Sequence, residues 1–287
     1  MRNTKSLLTV IVSVFASMML ILACNKIVHP GLGTYPKDAS SPSGPLNFYA
    51  AFDGILADSI RATFPNVDSA TTFTQGISGQ ALQFNPVVVN GGPDNAFSYL
   101  VYPTPNNWGS ATSFTVNFWM MIPLSKKDNV NADGLLTYAS TSSFWGNMTW
   151  YVDHSTGGPS DSMDLKVHFM NGSSDNWDFA GYTGANRWPH MYDGNWHMVT
   201  FTYDASSQTA TLYRDGVQFD QKTNESIAWD GNGSNLIVGG FEQANNITDN
   251  YADNGWMSGF PGAVDHIRLY SVALGASDVS ALFANKQ

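Results

Sequence analysis

Between Asp193 and Gly216 the chain reads DGNWHMVTFTYDASSQTATLYRDG, and this block restricts the fold more than any other stretch. His197, Val199, Phe201 and Tyr203 fall on one face while Trp196, Met198, Thr200 and Thr202 fall on the other, the two-residue period of a strand with one buried side. Thr209 to Arg214 repeats the pattern. Asp215-Gly216 then tolerates positive φ at both positions, so the chain turns back into Val217-Gln218-Phe219 as a two-residue hairpin. A hairpin with one apolar face buries it against a second sheet, so the block predicts an all-β sandwich.

The rest of the chain is written in the same terms. Leu46–Phe52 alternates as a first strand, Asp58–Gly79 is a long connection, and Gln80–Phe84 and Phe97–Tyr102 follow as strands. Phe114–Ile122 is the most apolar segment and is expected at the centre of a sheet. Gly134–Ser140, Met148–Val152, Met163–Met170 and Phe179–Tyr182 are further short strands between turns rich in Gly, Ser, Asn and Asp. One helix is expected, Asp278–Ala284, capped by Ser277 and with Leu274 packing at its start.

The block resembles the laminin-G-like, concanavalin-A-type jelly rolls, whose recurring line is D-G-x-W-H-x-V, a strand ending T-Y-D, and L-Y-x-D-G. Other pieces stand in the order that family shows: Phe52-Asp53-Gly54, Gly76-Ile77-Ser78-Gly79-Gln80-Ala81-Leu82-Gln83-Phe84, Ser113 to Trp119, Leu236 to Gly240, and Phe260 to Tyr270. The resemblance covers residues 46–287 and implies a sandwich of two antiparallel sheets. The same fold carries lectins, hydrolases, lyases and adhesion modules, so it does not by itself decide a function.

The N-terminus resembles a bacterial lipoprotein signal. Arg2 and Lys5 precede an apolar run from Leu7 to Leu22, followed by Ala23 and by Cys24, the only cysteine of the chain. About sixteen apolar residues is short for a membrane span of roughly twenty. The expected organisation is a signal peptide at 1–23, a lipid-anchored flexible linker at 24–45 rich in Pro, Gly and Ser, and the sandwich at 46–287. Lipid on Cys24 then implies a bacterial cell envelope and its outer membrane. A net charge of −10 and the absence of any basic cluster larger than Lys126-Lys127 exclude nucleic acid as an expected partner.

The acidic residues argue against glycosidic chemistry. The chain has 21 Asp but only Glu225 and Glu242, so the strand-borne Glu pair used by many sandwich glycosidases is missing. Asp161, Asp164, Asp175 and Asp178 form the densest acidic stretch and read as turn residues; an Asp-based hydrolase or a lyase is the alternative. There is no G-x-S-x-G elbow, and the histidines lack zinc-ligand spacing. His197, in phase with Val199 and Phe201, reads as a core histidine. No catalytic residue is expected.

Sugar recognition uses flat aromatic faces against C–H patches, flanked by polar side chains. Trp119 and Trp196 belong to strands and are expected to be structural. Trp145, Trp177, Trp188 and Trp256 stand in polar loop contexts and, with Arg187, are the expected carbohydrate-binding residues. The competing reading is that some of these rings plug the ends of the sandwich. The resemblance further implies calcium at Asp53 and Asp265, near the junction of the first and closing strands, where both carboxylates would equally serve as hydrogen-bond acceptors at strand ends. The expected function is a non-catalytic carbohydrate-binding lipoprotein that holds polysaccharide or oligosaccharide for envelope glycan-processing proteins. A protein-binding or adhesion module is the alternative.

Overall fold

The computed structural model describes residues 46–88, 96–126, 131–153, 161–178, 187–242 and 256–286. The expected signal peptide, Cys24, the linker and the strand expected at Phe179–Tyr182 lie outside the described residues.

The strands are β1 (Leu46–Ala50), β2 (Val67–Ser69), β3 (Thr71–Gln75), β4 (Gln80–Phe84), β5 (Val87–Val88), β6 (Ala96–Phe97), β7 (Tyr99–Tyr102), β8 (Phe114–Met121) and β9 (Ala132–Ser140). They continue with β10 (Met148–Val152), β11 (Leu165–Asn171), β12 (Ser174–Asp178), β13 (His197–Asp204), β14 (Thr209–Arg214), β15 (Val217–Thr223), β16 (Gly233–Val238), β17 (Met257–Gly259) and β18 (Ala263–Tyr270). The helix α1 (Ala276–Ala284) ends the chain. One sheet runs β15-β14-β13-β8-β18-β4-β3 with β1 on β18; the other runs β12-β11-β10-β9-β16-β7-β2 with β17 beside β9. The large sheets are antiparallel throughout, apart from the parallel pair β17–β9.

The inner faces form one core in which Phe114, Val116, Phe118 and Met120 of β8 and Val199 and Phe201 of β13 meet Met148, Trp150 and Val152 of β10 and Val167 and Phe169 of β11. Each such side chain contributes about 1.5–3 kcal/mol by leaving water. The pivotal block behaves as its pattern predicts. Asp215 and Gly216 take φ of 51° and 77°, the two positive angles that a tight hairpin turn requires. His197 is held between the two corners of the block, with Nδ1 3.0 Å from Asp215 Oδ2 and Nε2 3.3 Å from Asp193 Oδ1.

The two outer faces differ. On the first sheet, Trp119, Met198, Tyr213 and Tyr270 are covered by Leu274, Val279 and Leu282 around α1, and Phe283 stacks on Trp119 with ring centroids 5.5 Å apart. Trp119 is enclosed by this layer, and Trp196 packs half-buried against it, the structural placement expected of both. No helix covers the outer face of the second sheet among the described residues.

Three local expectations need correction. The Asp58–Gly79 connection contains β2 and β3, whose edge positions expose residues on both faces and so erase the alternation that would mark them. The acidic stretch around Asp175 is not all turn: Ser174–Asp178 is the edge strand β12. The helix begins at Ala276 after Gly275, with no side-chain cap, and Ser277 lies inside its first turn.

Candidate functional site

The outer face of the second sheet is organised by cross-strand register. Thr137, Thr149 and His168 stand opposite one another on β9, β10 and β11, and Trp177 of β12 is opposite His168 in the backbone register. A second row is Gly134, Tyr151 and Lys166. Because Met148, Trp150 and Val152 turn into the core, strand alternation puts Thr149 and Tyr151 on the outside.

Gly134 makes room for what covers this face. A Cβ there would lie 2.6 Å from the Phe241 ring and 2.7 Å from the Gly240 carbonyl carbon, so only glycine lets Phe241 approach. Phe241 in turn packs on Tyr151 at 5.5 Å and on Trp256 at 6.0 Å between centroids. Trp145 arrives from the loop after β9. Its ring lies 5.8 Å from Tyr151 and nearly parallel to it, 5.0 Å from Phe144, 5.7 Å from Trp256 and 6.3 Å from the imidazole of His168. The Trp256 residue keeps 39% of its surface exposed.

The Trp145 loop is fastened at both ends. The Asp230 carboxylate accepts from the hydroxyls of Ser140 and Ser142 and, at 2.7 Å, from Asn147 Nδ2. Burial acts to raise the pKa of Asp230, but these donors and the Asn232 amide outweigh it and hold the carboxyl below its ordinary range. Gly146 takes φ of 69°, and a Cβ there would press within 2.7 Å of the Tyr138 carbonyl and 3.1 Å of Glu242 Oε2. Glu242 is buried and its Oε2 accepts the Ser140 amide at 3.0 Å.

Polar groups border the rings. Lys166 pairs with Asp153 and stands 6.0 Å from the Tyr151 ring centre. His168 Nε2 is 2.9 Å from Asp175 Oδ1, and burial lowers the His168 pKa further than that bond raises it. At neutral pH the imidazole is therefore uncharged, and it donates to Asp175, whose carboxylate only accepts. Burial, with the charges of Asp153 and Asp164, pushes the Tyr151 phenol upward. The assembly is an aromatic shelf, buried at Tyr151 and Phe241, half-buried at Trp145 and open at Trp256, with carboxylate acceptors beside it.

The family model of the concanavalin A-like lectin/glucanases superfamily, Laminin_G_3, matches residues 94–280. The chain belongs to the concanavalin A-like lectin/glucanase superfamily. No curated protein sequence matches it significantly. Solved structures similar to this superfamily member include the binding domain of Paraclostridial Mosquitocidal Protein 1, at 17% identity and TM-score 0.56 over 84% of this chain and 52% of that one. Domain 4 of AbnA, a GH43 extracellular arabinanase from Geobacillus stearothermophilus in complex with arabinotriose, shares 18% identity at TM-score 0.53 over 83% of this chain and 98% of that one. The binding domain of Botulinum neurotoxin DC in complex with rat synaptotagmin II shares 12% identity at TM-score 0.55 over 85% of this chain and 52% of that one. This chain thus spans about half the length of the two toxin domains, and at these identities the likeness concerns the fold.

Within this lectin-like sandwich the expected ligand residues divide. Trp145 and Trp256 meet on the shelf. Trp177 occupies the His168 row by backbone register. Trp188 is a correction: it is fully buried, paired through its backbone with Met163 and packed against Phe219 at 4.7 Å, so it seals the sandwich and offers no ring to a ligand. Arg187 is half-buried and acts electrostatically on Tyr192, as do Asp133, Asp164 and Asp153. Tyr151, Phe241 and His168 join the shelf without standing in a polar loop context in the sequence. The available signal was a large aromatic at the solvent phase of a strand, Tyr151 in MTWYV.

Asp53 and Asp265 do converge, on the turn before β4. Asp53 Oδ1 accepts the Gln80 amide at 2.7 Å, and Asp265 accepts the Ile77 amide at 3.0 Å and His266 Nδ1 at 2.6 Å. Burial, with a smaller contribution from the Asp53 charge, raises the Asp265 pKa. Three of their four carboxylate oxygens therefore serve hydrogen bonds, and among the described residues no group of three or more acidic, His or Cys side chains gathers as a metal site. His197, between Asp193 and Asp215, is structural as its phase implies.

Proposed function

We propose that this chain is a non-catalytic glycan-binding module whose binding face is the Trp145–Trp256 shelf on the outer side of the second sheet. The observation that carries this reading is the meeting of two loop tryptophans, 5.7 Å apart, of which Trp145 stacks on Tyr151 and Trp256 is open to solvent. Exposed indole held rigidly by neighbouring rings binds the C–H face of a sugar without an ordering cost, while Asp175 at the rim accepts its hydroxyls. The arabinanase domain bound to arabinotriose shares the fold, which supports the reading by analogy. In this proposal lipid on Cys24 holds the module at the bacterial outer membrane, where it retains polysaccharide or oligosaccharide for glycan-processing proteins.

A glycan array followed by titration calorimetry of wild type and Trp256→Ala tests the reading. Binding that the substitution abolishes supports it, and silence toward every glycan at millimolar concentration removes it. Release of reducing sugar or of unsaturated product would instead promote the hydrolase or lyase alternative.

A second reading, protein binding, is favoured by Ile55, Ile60, Phe64 and Val67, which are all exposed along the connection after β1. Pull-down from native envelope separates it from the first: a stoichiometric protein lost on Phe64→Ser, with glycan binding absent, favours this surface. Calcium at Asp53 and Asp265 is proposed as a structural ion, since two carboxyls meet there and one is fully buried. Melting with and without chelator tests it; an unchanged transition leaves both residues as fasteners of the turn.

A further inference from the structure

Acidic side chains around the shelf outnumber basic ones. Asp153 closes β10 and pairs with Lys166, Asp175 holds His168, and Glu242 follows Phe241 directly. Asp164 acts with Asp153 on the shelf residue Tyr151. Against these four carboxylates stand Lys166 and Arg187. Lys166 is ion-paired with Asp153, and Arg187 lies in surroundings it shares with Asp133, Asp164 and Asp153 around Tyr192. The uncharged His168 adds no cation. The chain as a whole carries a net charge of −10.

Uronate carboxylates and sulfate esters are recognised through charge-assisted bonds from arginine and lysine, and a bidentate guanidinium is the strongest of these. The shelf offers the reverse: acceptors and negative field. Sugar hydroxyls donate well to carboxylates, so the same groups that repel an anion serve a neutral ring.

We infer that the Trp145–Trp256 shelf selects uncharged glycans and discriminates against uronate- and sulfate-bearing ones, an inference that rests on the carbohydrate reading above. The neutral polymer contributes ring faces and hydroxyls only. An anionic polymer of the same stereochemistry meets the same rings but carries its charge into an acidic rim.

The experiment is titration calorimetry of the protein against matched pairs: galactan with polygalacturonate, mannan with polymannuronate, and an unsulfated with a sulfated galactan. Each is run at low salt and at about 1 M sodium chloride, where the Debye length falls to about 3 Å. The expected result is a neutral member that binds in a Trp256-dependent manner and whose charged counterpart binds at least about tenfold more weakly at low salt, about 1.4 kcal/mol. That gap should narrow at high salt. A charged member that binds as tightly as its neutral partner, with affinity that falls as salt is added, overturns the selectivity and leaves the carbohydrate reading standing. If neither member of any pair binds through Trp256, the carbohydrate reading fails and the selectivity fails with it.

Discussion

The indole of Trp145 lies nearly parallel to the phenol ring of Tyr151, 11° between planes and 5.8 Å between centroids, so a loop residue is seated on a strand residue. Sequence places the two in unlike settings: Trp145 in a polar loop, Tyr151 in an apolar strand. The stack makes a loop side chain part of the sheet's outer surface, and Trp256 extends it toward solvent.

Trp256→Ala should separate binding from folding. With 39% of the residue already exposed, its removal forfeits little core packing. The expected loss is about tenfold or more in glycan affinity, about 1.4 kcal/mol, with a melting temperature changed by no more than about 2 °C. Calorimetric titration and scanning calorimetry on the same preparation check both halves.

Trp188→Ala should do the opposite. Its ring is fully enclosed and packs against Phe219, so truncation leaves a large cavity and costs about 3–5 kcal/mol. Urea denaturation should show the loss in stability. The fraction that remains folded should bind glycan with unchanged affinity, and specific loss of affinity in folded protein would mean that Trp188 contributes to the ligand face.

Gly134→Ala should disturb the shelf from below. The new methyl would sit 2.6 Å from Phe241 against backbone that cannot yield easily, an overpacking cost of about 1–3 kcal/mol. Phe241 would be pushed off Tyr151 and Trp256, so a reduced melting temperature should come with altered tryptophan fluorescence. Destabilisation with an unchanged emission spectrum would show that the rings do not depend on this glycine.

Asp230→Ala should loosen the Trp145 loop. The carboxylate joins Ser140, Ser142, Asn147 and Asn232, and its loss leaves the buried Asn147 amide short of a partner, a cost of about 1–3 kcal/mol. Hydrogen exchange of residues 141–147 should rise well above that of β13. Equal protection in both proteins would contradict the fastening role.

His197 should tie stability to pH. Burial works to lower its pKa, but the hydrogen bond and charge of Asp215, with the charge of Asp193, outweigh it, so the folded value stands above the ordinary 6.5. The stabilisation is full below the unfolded pKa and is lost as pH rises through the folded one. His168 works in the other direction, since its folded pKa is lowered and its contribution fades as pH falls below the unfolded value. His197→Gln should therefore be less stable than wild type at slightly acid pH and approach it in alkaline solution. Parallel denaturation curves across pH check this, and a constant difference would exclude the charged pair.

Much of the fold was legible because strand period and turn chemistry are local. Met148–Val152, Phe114–Met121 and Thr209–Arg214 carry their buried faces in their own residues, and Asp215-Gly216 announces its turn by tolerating positive φ. Val67–Ser69 and Ser174–Asp178 were hidden for the converse reason: edge strands with polar residues on both faces have no alternation to read.

The ligand face was only half visible. Asn186-Arg187-Trp188-Pro189 and Asn254-Gly255-Trp256 are equally polar surroundings, yet one ring is enclosed and the other is open. A side chain's neighbours along the chain set its local conformation, whereas its exposure depends on what the rest of the molecule lays over it. Phe219 arrives from the edge of the opposite sheet to close over Trp188. Tyr151 and Phe241 reach Trp145 only because β9, β10 and β11 align in one register and Gly134 leaves the gap. Residue chemistry prescribed the sandwich and its turns; long-range packing chose which tryptophans face water.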